Sequence, residues 1–330
     1  MREITIAVNE ANQRFDKFLI KYLNEAPKSF IYKMLRKKNI VLNGKKSVGD
    51  EKLKVGDSVK IFLSDETIEK FSSLSIQKTS VSLDIIYEDQ DVIFINKPAG
   101  MLSQKATPTD ESVVEHVISY LLDSKQLREE ELKSFKPSIC NRLDRNTSGL
   151  ITAGKSLKGL QGLSQIFQER SMGKYYYAVV KGNIQNAEYL KGYLTKDSRT
   201  NKAIISPSST PDSSYIETEY KPLWSKNNIT MLEVHLITGK THQIRAHLAY
   251  HNHAIIGDTK YGDAQINQLF KAKYGVPSQL LHAYRLEFPD NQSILESLSG
   301  HTYIAPLPNI YKKICKEMNI DYGNLEFKRS

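Results

Sequence analysis

A single aspartate, Asp144, stands between Arg142 and Arg145, directly before the tripeptide Thr-Ser-Gly at 147–149. Two guanidinium groups this close favour the ionised form of a carboxylate, and they suit a polyanionic substrate. The hydroxyls and the glycine that follow allow a tight bend. Such a carboxylate is a candidate nucleophile. Arginine–aspartate pairs pin surface turns more often than they catalyse, so the segment alone leaves both interpretations open.

A second candidate lies in the tyrosine-rich pattern of residues 174–182. A strand alternates its side chains between two faces, so Tyr176 shares a face with Ala178, whereas Tyr175 and Tyr177 take the other face. Tyrosines suit a half-buried strand, which would make them purely structural. The alternative is that one of them presents a flat ring or a phenol to a nucleobase.

The segment 235–253 raises the question of a metal site, because it gathers five of the eight histidines: His235, His242, His247, His251 and His253. No cysteine or acidic partner lies close, and the glutamate of the HExxH pattern is missing. The Gly-Lys-Thr at 239–241 resembles the end of a phosphate-binding loop, but Val234 stands where that pattern requires glycine. We therefore predict no metal site and no such loop.

The composition indicates a soluble protein of more than one domain. The chain has 330 residues, of which 40% are apolar, and this is enough for sizeable cores. No apolar run is long enough to cross a bilayer, and the N-terminus lacks the apolar stretch of a signal peptide. Cys140 and Cys315 are too few for a disulfide framework. We expect a cytoplasmic protein without membrane contact.

Positive charge is concentrated at the N-terminus. The net charge is +9, and residues 1–63 hold 14 basic side chains against 7 acidic ones. Residues 28–46 contain seven basic side chains and no acidic one, together with Phe30 and Tyr32. A solvated face usually mixes charge signs, whereas a surface that neutralises phosphates does not. We predict nucleic-acid binding through the following residues: Arg14, Lys17, Lys28, Lys33, Arg36, Lys37, Lys38 and Lys45.

Local patterns divide the chain into a module at 1–63, a linker at 64–80 and a larger domain at 81–330. In the module, apolar periodicity predicts two short helices, the second capped by Ser29, and β-rich runs predict a small hairpin. The linker carries five serines and no strong period. Residues 195–215 are rich in serine, threonine and proline, and we expect a mobile loop there.

Two family resemblances rest on these segments. The order and spacing of Arg-Phe-Asp-Lys-Phe-Leu at 14–19, the basic helix at 29–36 and Val-Leu-Asn-Gly-Lys at 41–45 resemble the S4 RNA-binding domain. From residue 81 to about 290 the chain resembles the RluA-type pseudouridine synthases, and an S4 domain in front resembles their ribosomal-RNA branch, typified by RluC and RluD. The second resemblance is carried by segments 96–100, 142–150, 174–182, 238–248, 257–262 and 281–283.

The resemblance implies an α+β fold, in which a small S4-type unit precedes a mixed, largely antiparallel sheet. It implies isomerisation of uridine in RNA without a cofactor, with Asp144 as the essential carboxylate, Tyr176 as the active-site tyrosine and Arg245 as the aspartate's partner. Arg142 matches the family residue that fills the space left by the extruded base. It further implies a monomer that acts on 23S ribosomal RNA.

Other functions stay open at this point. A transfer-RNA substrate, a non-catalytic RNA-binding or ribosome assembly factor, and a hydrolytic N-glycosidase would each use part of the same residues. Two positions also depart from the commonest pattern of the family. Asn141 replaces a usual histidine, and Ser-Gln-Lys at 103–105 replaces a Val-His-Pro type segment. Neither touches the aspartate, so we expect them to affect substrate fit rather than activity.

Overall fold

The computed structural model describes residues 1–72, 79, 82–290 and 294–321. It has the mixed α+β fold that the sequence predicted, with a small N-terminal unit at 1–72 and a larger body built on an extended sheet. None of the described helices is long and apolar enough to span a membrane.

The N-terminal unit is a four-stranded antiparallel sheet with three helices. Its elements are β1 (Arg2–Thr5), α1 (Phe15–Tyr22), α2 (Lys28–Arg36), β2 (Ile40–Leu42), β3 (Lys45–Lys46), β4 (Ser58–Ile61) and α3 (Asp65–Phe71). The strand order is β1-β4-β2-β3. The apolar faces of α1 and α2 pack together in one core, as their periodicity predicts. The cap prediction for Ser29 was wrong, because α2 begins at Lys28 and Ser29 lies in its first turn.

The predicted linker begins with a helix that its composition does not suggest. Ser64 caps α3 by accepting a hydrogen bond from the backbone N–H of Thr67 at 3.2 Å. Ile68 is fully buried in the core of the N-terminal unit. Residues 73–78, 80 and 81 lie outside the described residues, so the division at 1–63, 64–80 and 81–330 stays a prediction.

Direct contacts join the N-terminal unit to the body. The hydroxyl of Ser134 donates to the carboxylate of Glu10 at 2.6 Å, and this bond is buried. The side-chain oxygen of Asn9 accepts a bond from the backbone N–H of Leu157 at 3.2 Å. Two hydrogen bonds therefore join the N-terminal unit to the body. One links two side chains, the other links a side chain to a backbone N–H, and the partners are distant in sequence.

The body is organised around one large mixed sheet. Its strands are β5 (Ile85–Glu88), β6 (Val92–Lys97), β7 (Ser138–Ile139), β8 (Ser148–Gly154), β9 (Gly173–Lys181), β10 (Glu188–Asp197), β11 (Lys202–Ser206), β12 (Ser214–Lys226), β13 (Ile229–Leu236), β14 (Leu281–Glu287) and β15 (Thr302–Ile304). The order is β11-β10-β12-β13-β9-β14-β8-β6-β5, with β15 on β14 and β7 on β8. All pairs are antiparallel except β8 with β14.

Helices cover both faces of this sheet: α4 (Val113–Asp123), α5 (Leu157–Glu169), α6 (Gln243–Tyr250), α7 (Ala264–Tyr274) and α8 (Asn309–Glu317). The alternation predicted for β9 is confirmed. Tyr176 and Ala178 belong to the core cluster on one face, which includes Ile244 of α6, whereas Tyr177 and Val179 pack into the cluster on the other face.

The prediction of a mobile loop over 195–215 was wrong for the parts that form strands, which are the end of β10, all of β11 and the start of β12. Strand β11 pairs with the end of β10, from Tyr193 with Ser206 to Asp197 with Lys202. Ala203 and Leu194 are buried against Ala246 of α6. Packing on a helix that is distant in sequence thus orders a segment whose composition is typical of a loop.

Candidate active site

Asp144 lies in the loop between β7 and β8, at the floor of a cleft. A turn closes the loop through a hydrogen bond from the backbone N–H of Thr147 to the carbonyl oxygen of Asp144, at 3.0 Å. Behind it, Gly149 has φ +113°, and a Cβ there would meet the carbonyl of Ala283 at 2.1 Å. Only glycine allows β8 to leave the loop this close to β14.

A buried lysine, Lys97, hydrogen-bonds to the loop that carries Asp144. The ammonium of Lys97, at the end of β6, donates to the carbonyl oxygens of Pro98, Met101 and Arg145 at 2.8, 2.9 and 2.9 Å. Burial lowers the pKa of Lys97 to about 7, and the nearby charge of Asp144 opposes this shift. Lys97 therefore ties the 98–101 segment to the aspartate loop.

The two positions that depart from the family pattern also fix the loop. The buried hydroxyl of Ser103 donates to the carbonyl of Leu143 at 2.7 Å and is placed to accept from its N–H at 3.0 Å. Asn141 donates to the carbonyl of Leu150 at 3.1 Å and accepts from the N–H of Thr152 at 2.7 Å. Asn141 thereby joins the two ends of the loop, and Ser103 holds the residue beside Asp144.

Arg245 links two carboxylates. Its Nη1 donates to Oδ2 of Asp144 at 2.7 Å, while Nε and Nη2 donate to the two oxygens of Asp258 at 2.7 and 2.9 Å. Asp258 is fully buried and also accepts from the backbone N–H groups of Lys260 and Tyr261. Burial opposes ionisation of Asp258, but the bonds and charge of Arg245 outweigh it and hold its pKa below the usual value.

Tyr176 projects from β9 into the same cleft. Its side chain is largely buried, and burial, followed by the charge of Asp144, raises its pKa well above that of an ordinary tyrosine. The phenol therefore keeps its proton at neutral pH. It can stack on an aromatic ring or donate a hydrogen bond, but it does not begin a reaction as a base.

His242 completes the surroundings of the aspartate. Its Nε2 lies 3.9 Å from Oδ2 of Asp144, and its Nδ1 lies 3.0 Å from the hydroxyl of Tyr261. Burial lowers the pKa of His242, so the imidazole is uncharged at neutral pH.

The cleft has a volume of about 920 Å³ and is large enough for a nucleotide. Arg142, which is exposed, lines it together with Tyr176, Arg245 and the tip of the β10–β11 hairpin at Lys196 and Asn201. Within the described ranges, no group of three or more His, Cys, Asp or Glu side chains is arranged to hold a metal ion.

The structure places the predicted basic residues on the surface of the N-terminal unit. All eight of Arg14, Lys17, Lys28, Lys33, Arg36, Lys37, Lys38 and Lys45 are exposed. Arg14 differs from the others because its guanidinium makes two hydrogen bonds to the buried Asp16, at 3.1 and 2.9 Å. Its charge is already paired, so it is a weaker candidate for a phosphate contact than the lysines of α2.

Sequence reasoning predicted Asp144, Tyr176 and Arg245, and these three meet in the cleft. It assigned no role at this site to the neighbouring residues Lys97, Ser103, Asp258 and His242. Signals for them were present, since Lys97 precedes the Pro-Ala-Gly turn and Asp258 stands in the segment 257–262. Lys97 and Arg145 are 48 residues apart, and His242 and Asp144 are 98 residues apart, so local spacing does not reveal these contacts.

Known proteins resemble this chain in sequence and fold. A family model described as RNA pseudouridylate synthase matches residues 91–250. The ribosomal large subunit pseudouridine synthase C of Vibrio vulnificus (strain CMCP6) is 30% identical over 290 residues, covering 86% of this chain and 87% of that protein. An uncharacterized RNA pseudouridine synthase of Mycoplasma capricolum subsp. capricolum is 33% identical over 311 residues, covering 92% and 97%. The structure of human RNA pseudouridylate synthase domain containing 4 has 22% identity and a TM-score of 0.56, covering 72% of this chain and 93% of its own.

Proposed function

Because this chain belongs to the RluA family of RNA pseudouridine synthases, and is therefore an isomerase of uridine in RNA, we propose that Asp144 is its essential carboxylate. The observation that carries the proposal is the 2.7 Å ion pair between Asp144 and Arg245 at the floor of the cleft. Arg245 orients the carboxylate, because Asp258 fixes the guanidinium from the other side.

The reaction breaks the bond between N1 of uracil and C1′ of ribose, turns the base and joins C5 to C1′. Asp144 acts either by attacking C1′ or by removing the 2′ proton, and both routes need the ionised carboxylate. The uridine must leave its stack to reach the cleft, and we infer that Arg142 fills the vacated space; its exposure in the lining of the cleft supports this. Tyr176 supplies a ring for the base and a phenol that can donate a hydrogen bond.

We propose 23S ribosomal RNA as the substrate. Two observations support this: the relative named as a ribosomal large subunit enzyme is similar over 87% of its length, and the exposed lysines of α2 suit a large structured RNA. The N-terminal unit would act as an S4-type RNA-binding domain, and the protein would work as a cytoplasmic monomer.

The test is to map pseudouridines in ribosomal and transfer RNA from a deletion strain complemented with wild type, Asp144→Asn or the exposed control Asp123→Asn. We expect one or more 23S pseudouridines to depend on wild type and on Asp123→Asn, and to be absent with Asp144→Asn. Asp144→Asn should keep its RNA affinity, because the side-chain volume is unchanged, and should lose at least about a thousandfold in rate.

Other outcomes point to the alternatives. Loss of a transfer-RNA pseudouridine instead would replace the ribosomal assignment and keep the chemistry. Release of free uracil from purified RNA would indicate an N-glycosidase. An unchanged modification pattern in the deletion strain would favour an RNA-binding assembly factor.

A further inference from the structure

His242 stands beside the carboxylate in an unusual backbone conformation. It is the residue before α6, with φ 57° and ψ 14°, in the left-handed region. This region is unfavourable for a residue with a Cβ, and such conformations persist where the surroundings enforce them. The side chain is only 11% exposed and lies between Asp144 and Tyr261. The imidazole thus lies beside the aspartate with its backbone in the left-handed region.

The hydrogen bonds of Tyr261 bear on where His242 carries its proton. The phenol oxygen of Tyr261 accepts from the backbone N–H of Ala203 on β11 at 2.6 Å. The phenol proton is then free to donate to Nδ1 of His242, at 3.0 Å. A neutral imidazole that accepts at Nδ1 must carry its proton at Nε2. With the proton on Nε2, the atom that faces Asp144 is a hydrogen-bond donor.

Charged groups and burial together set the charge of the imidazole. Arg245 and Lys260 disfavour a charged imidazole, Asp144 and Asp258 favour it, and burial, which disfavours it, is the largest influence on the pKa. The ring is therefore neutral at neutral pH and holds a single proton.

Within the described residues, the polar contacts of the Asp144 carboxylate go to Oδ2. Arg245 Nη1 donates to it at 2.7 Å, and His242 Nε2 lies 3.9 Å away, longer than a hydrogen bond. Catalytic hydrogen bonds are often long in the free protein and shorten when substrate fills the site. A shift of about 1 Å would bring the His242 donor into range.

We propose that His242 is a positioning residue, whose Nε2–H binds Oδ2 of Asp144 once a uridine occupies the cleft, so that Oδ1 is presented to the ribose. Arg245 binds Oδ2, and His242 supplies a second donor to the same oxygen, which restricts rotation of the carboxylate. The inference rests on the proposed role of Asp144.

Two substitutions separate this role from a structural one. His242→Gln retains a donor at the place of Nε2 and lacks the acceptor for Tyr261. His242→Asn retains a polar atom at the place of Nδ1 for Tyr261 and lacks the donor towards Asp144. Asparagine also tolerates the left-handed conformation. A purely structural histidine predicts that His242→Asn works better, and a positioning histidine predicts that His242→Gln works better.

The experiment measures single-turnover pseudouridine formation with enzyme in excess, together with RNA affinity and melting temperature. Wild type, Asp144→Asn and the exposed control His301→Asn are measured first. Equal rates for wild type and Asp144→Asn would show that the proposed role of Asp144 is wrong, before the His242 variants are compared. We expect His242→Asn to slow the reaction about tenfold or more at unchanged RNA affinity. His242→Gln should react at a rate much closer to that of wild type.

The proton position gives an independent measurement. Long-range proton–nitrogen NMR of histidine-labelled protein, assigned by comparison with His242→Gln, should show the proton of His242 on Nε2. A proton on Nδ1 would overturn the proposal. So would normal turnover by His242→Asn, or equal losses in both variants.

Discussion

Asp258 receives two hydrogen bonds from Arg245, from Nε and Nη2 at 2.7 and 2.9 Å, and these leave Nη1 for Asp144. One arginine is thereby held by a fully buried carboxylate and presented to a partly exposed one. The orientation of Asp144 thus depends on a residue that touches no substrate.

Asp258→Asn should impair the reaction without removing any group from the cleft. The neutral amide leaves Arg245 less firmly held, and breaking a buried ion pair lowers the free energy of unfolding by about 3–5 kcal/mol. Turnover and urea unfolding measure the two effects. Arg245→Ala is the comparison, and we expect it to be the slower enzyme. Normal turnover in Asp258→Asn would show that Asp144 needs no such support.

Tyr176→Phe tests the phenol. Since burial keeps the phenol protonated, we expect the ring to serve substrate binding and the O–H to serve turnover. The variant should keep its RNA affinity and lose about tenfold or more in rate, whereas Tyr176→Leu should also lose affinity. A normal rate for Tyr176→Phe would restrict Tyr176 to packing on the base.

Ser103→Ala removes the side chain that binds both backbone groups of Leu143. Leaving these buried groups unpaired should cost about 1–3 kcal/mol of unfolding free energy and lower the rate. Asn141→Ala should act on the same loop, so the double variant should be less impaired than the sum of the single ones. Ser208→Ala, on the exposed β11–β12 connection, serves as control. Strict additivity would mean that the two residues act independently.

RNA binding should depend on the lysines of the N-terminal unit. Changing Lys33, Arg36 and Lys37 together to glutamine should reduce the slope of log affinity against log salt by about 0.9 for each phosphate that the variant no longer neutralises. The matched control changes three exposed lysines of the body, Lys271, Lys273 and Lys316, to glutamine. Equal slopes for the two triple variants would contradict a localised RNA surface.

Acid should destabilise the fold through buried histidines. Burial lowers the pKa of His247 and of His282 to about 4, from an ordinary value of 6.5. Below pH 6.5 the unfolded chain takes up these protons and the folded one does not until about pH 4, so stability falls across this window. Urea unfolding at pH 7.5 and 5 measures the loss, and His247→Gln should reduce it. If His247→Gln loses as much stability between pH 7.5 and 5 as wild type does, His247 does not contribute to the acid sensitivity.

The sequence by itself determined much of this protein. The periodicity of α1, α2 and β9 predicted their buried faces, because apolar spacing follows directly from the geometry of helix and strand. The distribution of charge located the basic surface. The types and order of Asp144, Tyr176 and Arg245 indicated one chemistry, since several motifs in the right order are far more specific than one.

Only the tertiary structure determined which residues contact one another at the site. The partners of Asp144 and Leu143 come from segments 101 and 40 residues away, so local spacing carries no information on their contact. Strand β11 and helix α3 are stable because Ala203 and Ile68 are buried against distant elements, which outweighs a loop-like composition. Hydrogen-bond contacts link His242 to Tyr261 and Tyr261 to Ala203, and only the folded chain brings these three together.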